Sequence, residues 1–245
     1  MAKSAIRMWV LAAAVFVAAT LPFVAALSHG YSQFDDITML DTEAFHGLSW
    51  EHLSWMFTTV HMGHYQPLSW LSFAVEWTLF GMQAGVSHTI NVIVHGLNAV
   101  LVFVLASKLI AAAKPGLMAW AKEWGAVLAA VAFAAHPLRV ESVAWVTERR
   151  DVLSLFFYLL AMIWYVRANE AGVARDARKG RMLGVWVFFA LSLLAKAWGM
   201  TFFVVLLILD WYPLARVPWP SKAWLVAPVR RVLIEKTPFA VVGMA

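Results

Sequence analysis

Two clusters of charged side chains in an otherwise apolar chain are the residues that could do chemistry. The first is Asp35-Asp36, adjacent carboxylates inside a stretch, 28–86, that holds no Lys or Arg. Such a pair can act as general base toward a hydroxyl, or hold a divalent cation through oxygen ligands. That cation is the one cofactor the sequence suggests, and Asp35 and Asp36 are its candidate ligands. The plainer alternative is a helix N-cap, because Asp36 followed by Ile37, Thr38 and Met39 would start a short helix well. The second cluster is HPLRVESVAWVTERRD, 136–151, which carries Arg139, Glu141, Glu148, Arg149, Arg150 and Asp151 between long apolar runs. Lys196 stands near it in character, a lone cation ending a later apolar run. Guanidinium forks bind phosphate oxygens bidentately and lysine adds a point charge. Arg149, Arg150 and Lys196 are therefore candidate phosphate ligands, and a lipid-linked phosphate is the natural anion near a bilayer. Charge neutralisation is the competing role: Arg139 with Glu141, and Glu148 or Asp151 with the arginine pair. His136, and His64 and Tyr65 from the first loop, complete the expected pocket.

Histidine gives a weaker signal. His88, Asn91 and His95 fall at i, i+3 and i+7 on one helical face. With no carboxylate or close third ligand, they are better read as helix–helix hydrogen bonds than as a metal site. His61 and His64 flank Gly63, where substrate contact and simple solvation are equally open. Trp145 is the one tryptophan placed to stack on a sugar; the others read as anchors at the membrane interface.

These residues need a scaffold, and composition says what kind. The chain is 62% hydrophobic and 13% charged, with a mean hydropathy of +0.73. Soluble domains sit near half apolar and a quarter charged, so this is an integral membrane protein. There is no cysteine, which removes disulfides and thiolate metal sites. The net charge of +5 does not mark a nucleic-acid binder, because the cations flank apolar spans instead of forming one patch. Apolar runs predict membrane helices at about 8–27, 87–110, 124–136, 152–167, 182–196 and 199–212, with another starting at 237. A basic loop is expected between the fourth and fifth. The first run follows Lys3 and Arg7 but lacks a small-residue cleavage site, so it reads as a retained helix rather than a signal peptide. The long loop 28–86 contains two amphipathic segments, 49–59 and 67–80, expected to lie in the membrane interface. The chain ends inside the last helix, and the sequence-based expectation is an N-terminal fragment forming one transmembrane domain.

The charges also give an orientation. With the N-terminus cytoplasmic, 15 of the 19 Lys and Arg residues fall on the cytoplasmic side, leaving only Arg139, Arg149, Arg150 and Lys196 outside. Nine of the 14 acids fall on the outer side. That bias predicts an active face that is periplasmic or otherwise extracytoplasmic, as in a bacterial inner membrane or its equivalent. The third and fifth spans offer about 14 apolar residues each, or about 21 Å of helix against about 30 Å of hydrocarbon. Charged, irregular backbone below the outer surface is tolerated only where it lines a hydrated cavity. The expectation is a pocket open to the outside.

Taken in order, Asp35-Asp36, GHYQPLSWLSFAVEWTLFG (63–81), SHTINVIVHGLNAVLVF (87–103), HPLRVESVAWVTERRDVLS (136–154), LLAKAWGMTF (193–202), LLILDWYPL (206–214) and EKTPF (235–239) resemble a known family. They look like the membrane portion of the transmembrane and tetratricopeptide-repeat O-mannosyltransferases and their prokaryotic relatives. The resemblance spans nearly the whole chain and implies an all-α, polytopic helix bundle of the GT-C type, using polyprenyl-phosphate sugars. It implies that one carboxylate of Asp35-Asp36 is the base or metal ligand, and that Glu148, Arg149, Arg150, Asp151 and Lys196 surround the donor phosphate. Gln66 stands where relatives commonly carry Arg, and Trp198-Gly199 replaces a more usual Pro-containing segment.

The expected function is a membrane glycosyltransferase moving a mannose-like sugar from a polyprenyl-phosphate donor to an acceptor hydroxyl of a protein or glycan. Partners are that lipid-linked sugar, the acceptor and the bilayer, with no nucleic acid. Two alternatives remain in the sequence: a transporter or flippase for lipid-linked substrates, and a non-catalytic anchor for a tetratricopeptide-repeat protein. A flippase would favour paired broken helices in both halves of the chain, and no internal repeat of that sort is visible.

Overall fold

The computed structural model describes residues 2–217 and 227–244. Lys222, counted above among the cytoplasmic cations, lies outside them. Eleven α-helices are found among the described residues: α1 (Ala2–Thr20), α2 (Asp35–Leu40), α3 (Trp50–Thr58), α4 (Pro67–Phe80), α5 (Ala84–Ala113), α6 (Ala119–Ala134), α7 (Arg139–Ala144), α8 (Arg149–Ala168), α9 (Arg175–Ala195), α10 (Phe202–Trp211) and α11 (Ala227–Met244). Among those residues there is no β-strand, and the protein is an all-α membrane helix bundle. Among the described residues three helical segments are long and apolar enough to cross a bilayer: Ala5–Ser28, Ala84–Ala113 and Val146–Ala168.

Local sequence sets the ends. Pro22 lacks the amide hydrogen an α-helix needs, and α1 gives way there to a 3-10 segment, Leu21–Ser28. Ser49 caps α3 by accepting from the His52 amide at 3.3 Å. Pro67 opens α4, where a missing N–H costs nothing, and Gly81 closes it at φ 67°.

Two expectations need correcting. The last helix starts at Ala227 rather than at 237, so Pro238 lies inside it. The basic residues Arg167 and 175–181 are not a loop. Arg167 ends α8, while Arg175, Arg178, Lys179 and Arg181 occupy the first two turns of α9. Arg, Lys and Ala are good helix formers, and long cationic side chains can reach the interface from inside a helix. With 21 residues, α9 spans about 31 Å, so its length does not by itself sink Lys196. α6, at 16 residues or about 24 Å, remains shorter than the hydrocarbon thickness of about 30 Å.

α5 is the central helix and packs on α1, α6 and α8, while α8 and α9 form the closest antiparallel pair. The main core joins Leu159, Ile163, Val185, Phe189, Phe202, Leu206 and Phe239. At one end, α2, α3 and α4 build a second small core from Met39, Phe45, Met56, Trp70 and Phe73, with Val146 inserted into it. At the opposite end a buried polar network ties four helices together. Tyr165 and Arg216 share Asp210, Lys236 pairs with Asp210 at 3.0 Å, and Glu235 accepts from both Arg216 and Arg178 at 2.9 Å. Asp210 belongs to the LLILDWYPL block, and Glu235 and Lys236 to EKTPF. On α1, Trp9, Val10 and Val17 are exposed, as lipid-facing side chains must be.

The α8–α9 contact predicts its own weak point. A Cβ on Gly184 would come within 2.3 Å of the Trp164 ring, whereas Gly180 on the same helix has open space. Gly184→Ala should destabilise by about 1–3 kcal/mol, and Gly180→Ala should stabilise by about 0.5–1 kcal/mol. Thermal unfolding in detergent micelles reads both.

Candidate active site

The charged loop between α6 and α8 is irregular, and its backbone must find hydrogen-bond partners inside the protein. One polar face of α5 supplies some of them, and also bonds the first loop and the flanking ends of α6 and α8. His88 bonds the Gly30 carbonyl (3.4 Å), Asn91 donates to the carbonyls of Trp145 (3.2 Å) and Val146 (3.3 Å), and His95 bonds that of Ala134 (3.2 Å). Asn98, one turn further, donates to Val152 at 2.8 Å. The histidine spacing thus serves helix-to-loop hydrogen bonding.

Arg149 is held by the same face. It is 1% exposed, pairs with Glu76 of α4 at 2.6 Å, donates to the Asn91 Oδ1 at 2.9 Å and to the Ser87 carbonyl at 3.2 Å. Its guanidinium lies 4.0 Å from the centre of the Phe73 ring. Every face of the group is occupied, so the expectation that Arg149 meets a donor phosphate gives way to a structural role. Its charge is spent on fixing the loop against α4 and α5.

Arg150 and Lys196 point elsewhere. Glu148 accepts from Arg150 through one oxygen and from Lys196 through the other, at 3.1 Å in the second case. Asp151 also pairs with Lys196 and accepts from Ser142 at 3.1 Å. Lys196 arrives at the end of α9, whose last carbonyls bond Ser69 (2.9 Å, from Ala195) and Ser154. The four charges balance, which suits burial at a membrane protein's end. Neither cation is fully enclosed.

The adjacent carboxylates divide in the same way. Asp36 is 1% exposed. Its two oxygens accept from the amides of Ser32 (2.8 Å) and Thr147 (2.9 Å), tying the first loop to the charged loop. Asp35 is half-buried and makes no hydrogen bond or ion pair among the described residues. It is the free carboxylate of the doublet. Each Asp36 oxygen accepts one backbone amide, so the two carboxylates of the doublet differ in how much of their acceptor capacity the protein already uses. No group of three His, Asp or Glu side chains converges as a metal site among the described residues.

Two connected chambers lie between these groups. The larger, about 680 Å³, is walled by Leu193, Leu194, Trp198, Met200 and Val242, with Lys196 at its end. The smaller, about 260 Å³, is polar and is lined by Asp35, His61, His64, Gln66, Thr147 and Arg150. His64 and Gln66 line both, so the chambers form one crevice with Arg150 and Lys196 on either side of the junction. Tyr65 lines the larger chamber and donates to the Phe57 carbonyl at 3.1 Å.

Asp35, His64, Tyr65, Arg150 and Lys196 therefore meet in the crevice, with Glu148 and Asp151 behind them. Arg139, Glu141 and His136 do not line it. Arg139 lies over the Phe133 ring at 4.9 Å rather than pairing with Glu141, because α7 turns Glu141 outward. Trp145 lines neither chamber and packs by Phe34. Glu76, Gln66 and Thr147 are the residues sequence reading left out of the site. Glu76 did give a signal: it is a lone acid in an apolar helix, and no cation exists between 28 and 86 to balance it.

No family model matches the chain, and no solved structure matches it. Curated relatives do. The chain is 31% identical over 151 residues to mouse protein O-mannosyl-transferase TMTC1, an alignment covering 60% of this chain and 15% of the relative. Identity is 30% over 150 residues to Drosophila melanogaster protein O-mannosyl-transferase Tmtc2, covering 60% and 15%. It is 26% over 194 residues to mouse protein O-mannosyl-transferase TMTC4, covering 75% and 25%. The chain is related to the protein O-mannosyl-transferases. These alignments take in 15 to 25% of the relatives' own lengths, so the relationship concerns the part of an O-mannosyl-transferase that this chain resembles.

The electrostatics of the crevice can be read at His64. Partial burial lowers its pKa, Arg150 and Lys196 lower it further, and Glu148 and Asp35 oppose them. Removing a nearby anion disfavours the imidazolium, so Asp35→Asn should lower the His64 pKa further. Lys196→Met removes a cation and should raise it. Opposite shifts in a histidine NMR titration in micelles would verify that one ring senses both walls; shifts of the same sign would contradict it.

Proposed function

We propose that this chain is the membrane portion of a GT-C glycosyltransferase, one that moves a mannose-like sugar from a polyprenyl-phosphate donor to a protein hydroxyl. The observation that carries the reading is Asp35, an unpaired carboxylate sharing a crevice with Arg150 and Lys196, beside an apolar chamber. The relatives' printed names, protein O-mannosyl-transferases, agree with sugar transfer to protein.

In this reading the prenyl chain lies along Leu193, Leu194, Trp198 and Met200, and the phosphate sits at the junction between Lys196 and Arg150. Lys196 has three ammonium donors and uses two on Glu148 and Asp151, leaving one for a phosphate oxygen. Arg150 engages Glu148 through Nε and Nη2, which leaves Nη1. Asp35 takes the proton of the acceptor hydroxyl. The acceptor oxygen forms its bond to the anomeric carbon as the bond from that carbon to the phosphate oxygen breaks, with inversion. The electron pair leaves on the polyprenyl phosphate, whose growing charge Arg150 and Lys196 stabilise. The divalent cation considered from the sequence is given no step, since Asp35 alone offers a free carboxylate. The charge bias supports an outward-facing crevice and a cytoplasmic N-terminus.

The test is sugar transfer from polyprenyl-phosphate mannose to an acceptor peptide by the full-length protein in membranes. Asp35→Asn should cut the rate by about 10²–10⁴-fold while the protein still accumulates and folds. Lys196→Met should lower it as well, with a larger effect on turnover than on donor binding. Unchanged transfer by Asp35→Asn would remove the base assignment, and no transfer by the intact protein would remove the reading.

A further inference from the structure

The smaller chamber contains two enclosed polar side chains that the transfer chemistry does not use. Thr147 is 1% exposed, and its hydroxyl is buried with no hydrogen-bond partner. Gln66 is 3% exposed, and its side-chain amide makes no hydrogen bond among the described residues. Both line the chamber that holds Asp35. Buried polar groups are nearly always satisfied, and an orphan costs its full desolvation penalty. One orphaned hydroxyl and, beside it on the lining, an amide free to bond point to an occupant that carries hydroxyls.

Their placement is also held from behind. The Thr147 amide is fixed by Asp36 at 2.9 Å, and Val146, one residue earlier, is buried in the α2–α4 core. The Gln66 carbonyl accepts from Ser69 and Trp70 at the start of α4, and Pro67 restricts its backbone. Neither side chain is an accident of a mobile loop tip.

Resting on the glycosyltransferase reading, we infer that the smaller chamber is the hexopyranose subsite, with Thr147 and Gln66 hydrogen-bonding the hydroxyls of the donor sugar. Both groups donate and accept, as a sugar hydroxyl does. At about 260 Å³ the chamber takes the liquid volume of roughly nine waters, room for one sugar ring but not for a prenyl chain. Gln66 lines both chambers, so it stands where the ring meets the phosphate. Thr147, which lines the same chamber as Asp35, is a specificity-determining residue: a pocket built to bond a hydroxyl rejects a ligand that lacks it.

The experiment compares two probes on the full chain in detergent micelles: a short-chain prenyl-phosphate mannose, and the same prenyl phosphate without the sugar. Thr147→Val, which keeps the shape and removes the hydroxyl, should weaken the sugar-bearing probe about 5- to 15-fold. It should leave the bare phosphate within twofold, and Thr147→Ser should keep the wild-type preference. Because the lost hydroxyl has no partner in the protein, Thr147→Val should unfold no earlier than wild type without ligand. Equal weakening of both probes, no weakening of either, or a lowered unfolding temperature would overturn the inference. If wild type binds both probes equally, the sugar subsite is wrong while the donor reading stands. If wild type binds neither, the donor reading itself fails and takes the subsite with it.

Discussion

The ion pair between Arg149 and Glu76 is the constraint on which the rest of the site depends. It joins the first residue of α8 to the middle of α4, inside protein, with Asn91, the Ser87 carbonyl and Phe73 closing the remaining sides. Dehydrating two charges is expensive, and such a pair is weak evidence of net stability. Its effect is on geometry. Removing either partner would strand a buried charge at a cost of about 3–5 kcal/mol, so the loop has one arrangement available to it. In that arrangement Glu148 and Arg150 turn toward the crevice.

The same logic explains why each charged doublet has one internal and one outward member. Successive residues of a helix project about 100° apart, so neighbours are readily sent to different surroundings. Arg149 goes to the core and Arg150 to the crevice. Asp36 is locked onto two backbone amides while Asp35 is left free. The structural members set the register of the working ones. Asp36 also places Thr147, so one buried carboxylate positions both the free acid beside it and the hydroxyl across the chamber. α5 completes the support through His88, Asn91, His95 and Asn98, each bonding a backbone carbonyl of a neighbouring segment.

Much of this was legible in the sequence. Composition and apolar runs read directly as an all-helical membrane bundle; the polar face of α5 reads as helix–helix hydrogen bonding, which His95 makes to α6 while His88 and Asn91 bond loop carbonyls. The convergence of Asp35, Arg150 and Lys196 was expected from charges concentrated on one side of the membrane. What the sequence could not resolve was the direction of each side chain. Adjacent identical charges, Arg149 with Arg150 and Asp35 with Asp36, look equivalent until tertiary partners separate them. Arg139 and Glu141 look paired by spacing, yet the short helix α7 sends them apart. The basic stretch at 175–181 looks like loop because charge disguises good helix-forming residues. Thr147 carries no charge, and only enclosure without a partner distinguishes it, while Gln66 stands out in the sequence solely as a departure from the Arg that relatives commonly carry.

The most direct measurement of the central claim is where a donor lands. A polyprenyl-phosphate mannose analogue bearing a photoreactive group on its first isoprene unit can be crosslinked to the full-length protein in membranes and the adduct mapped by mass spectrometry. Adducts on Leu193, Trp198, Met200 or Val242 are the predicted result. Adducts at the opposite end of the bundle, around Lys108, Asn169 and Pro213, would contradict the account.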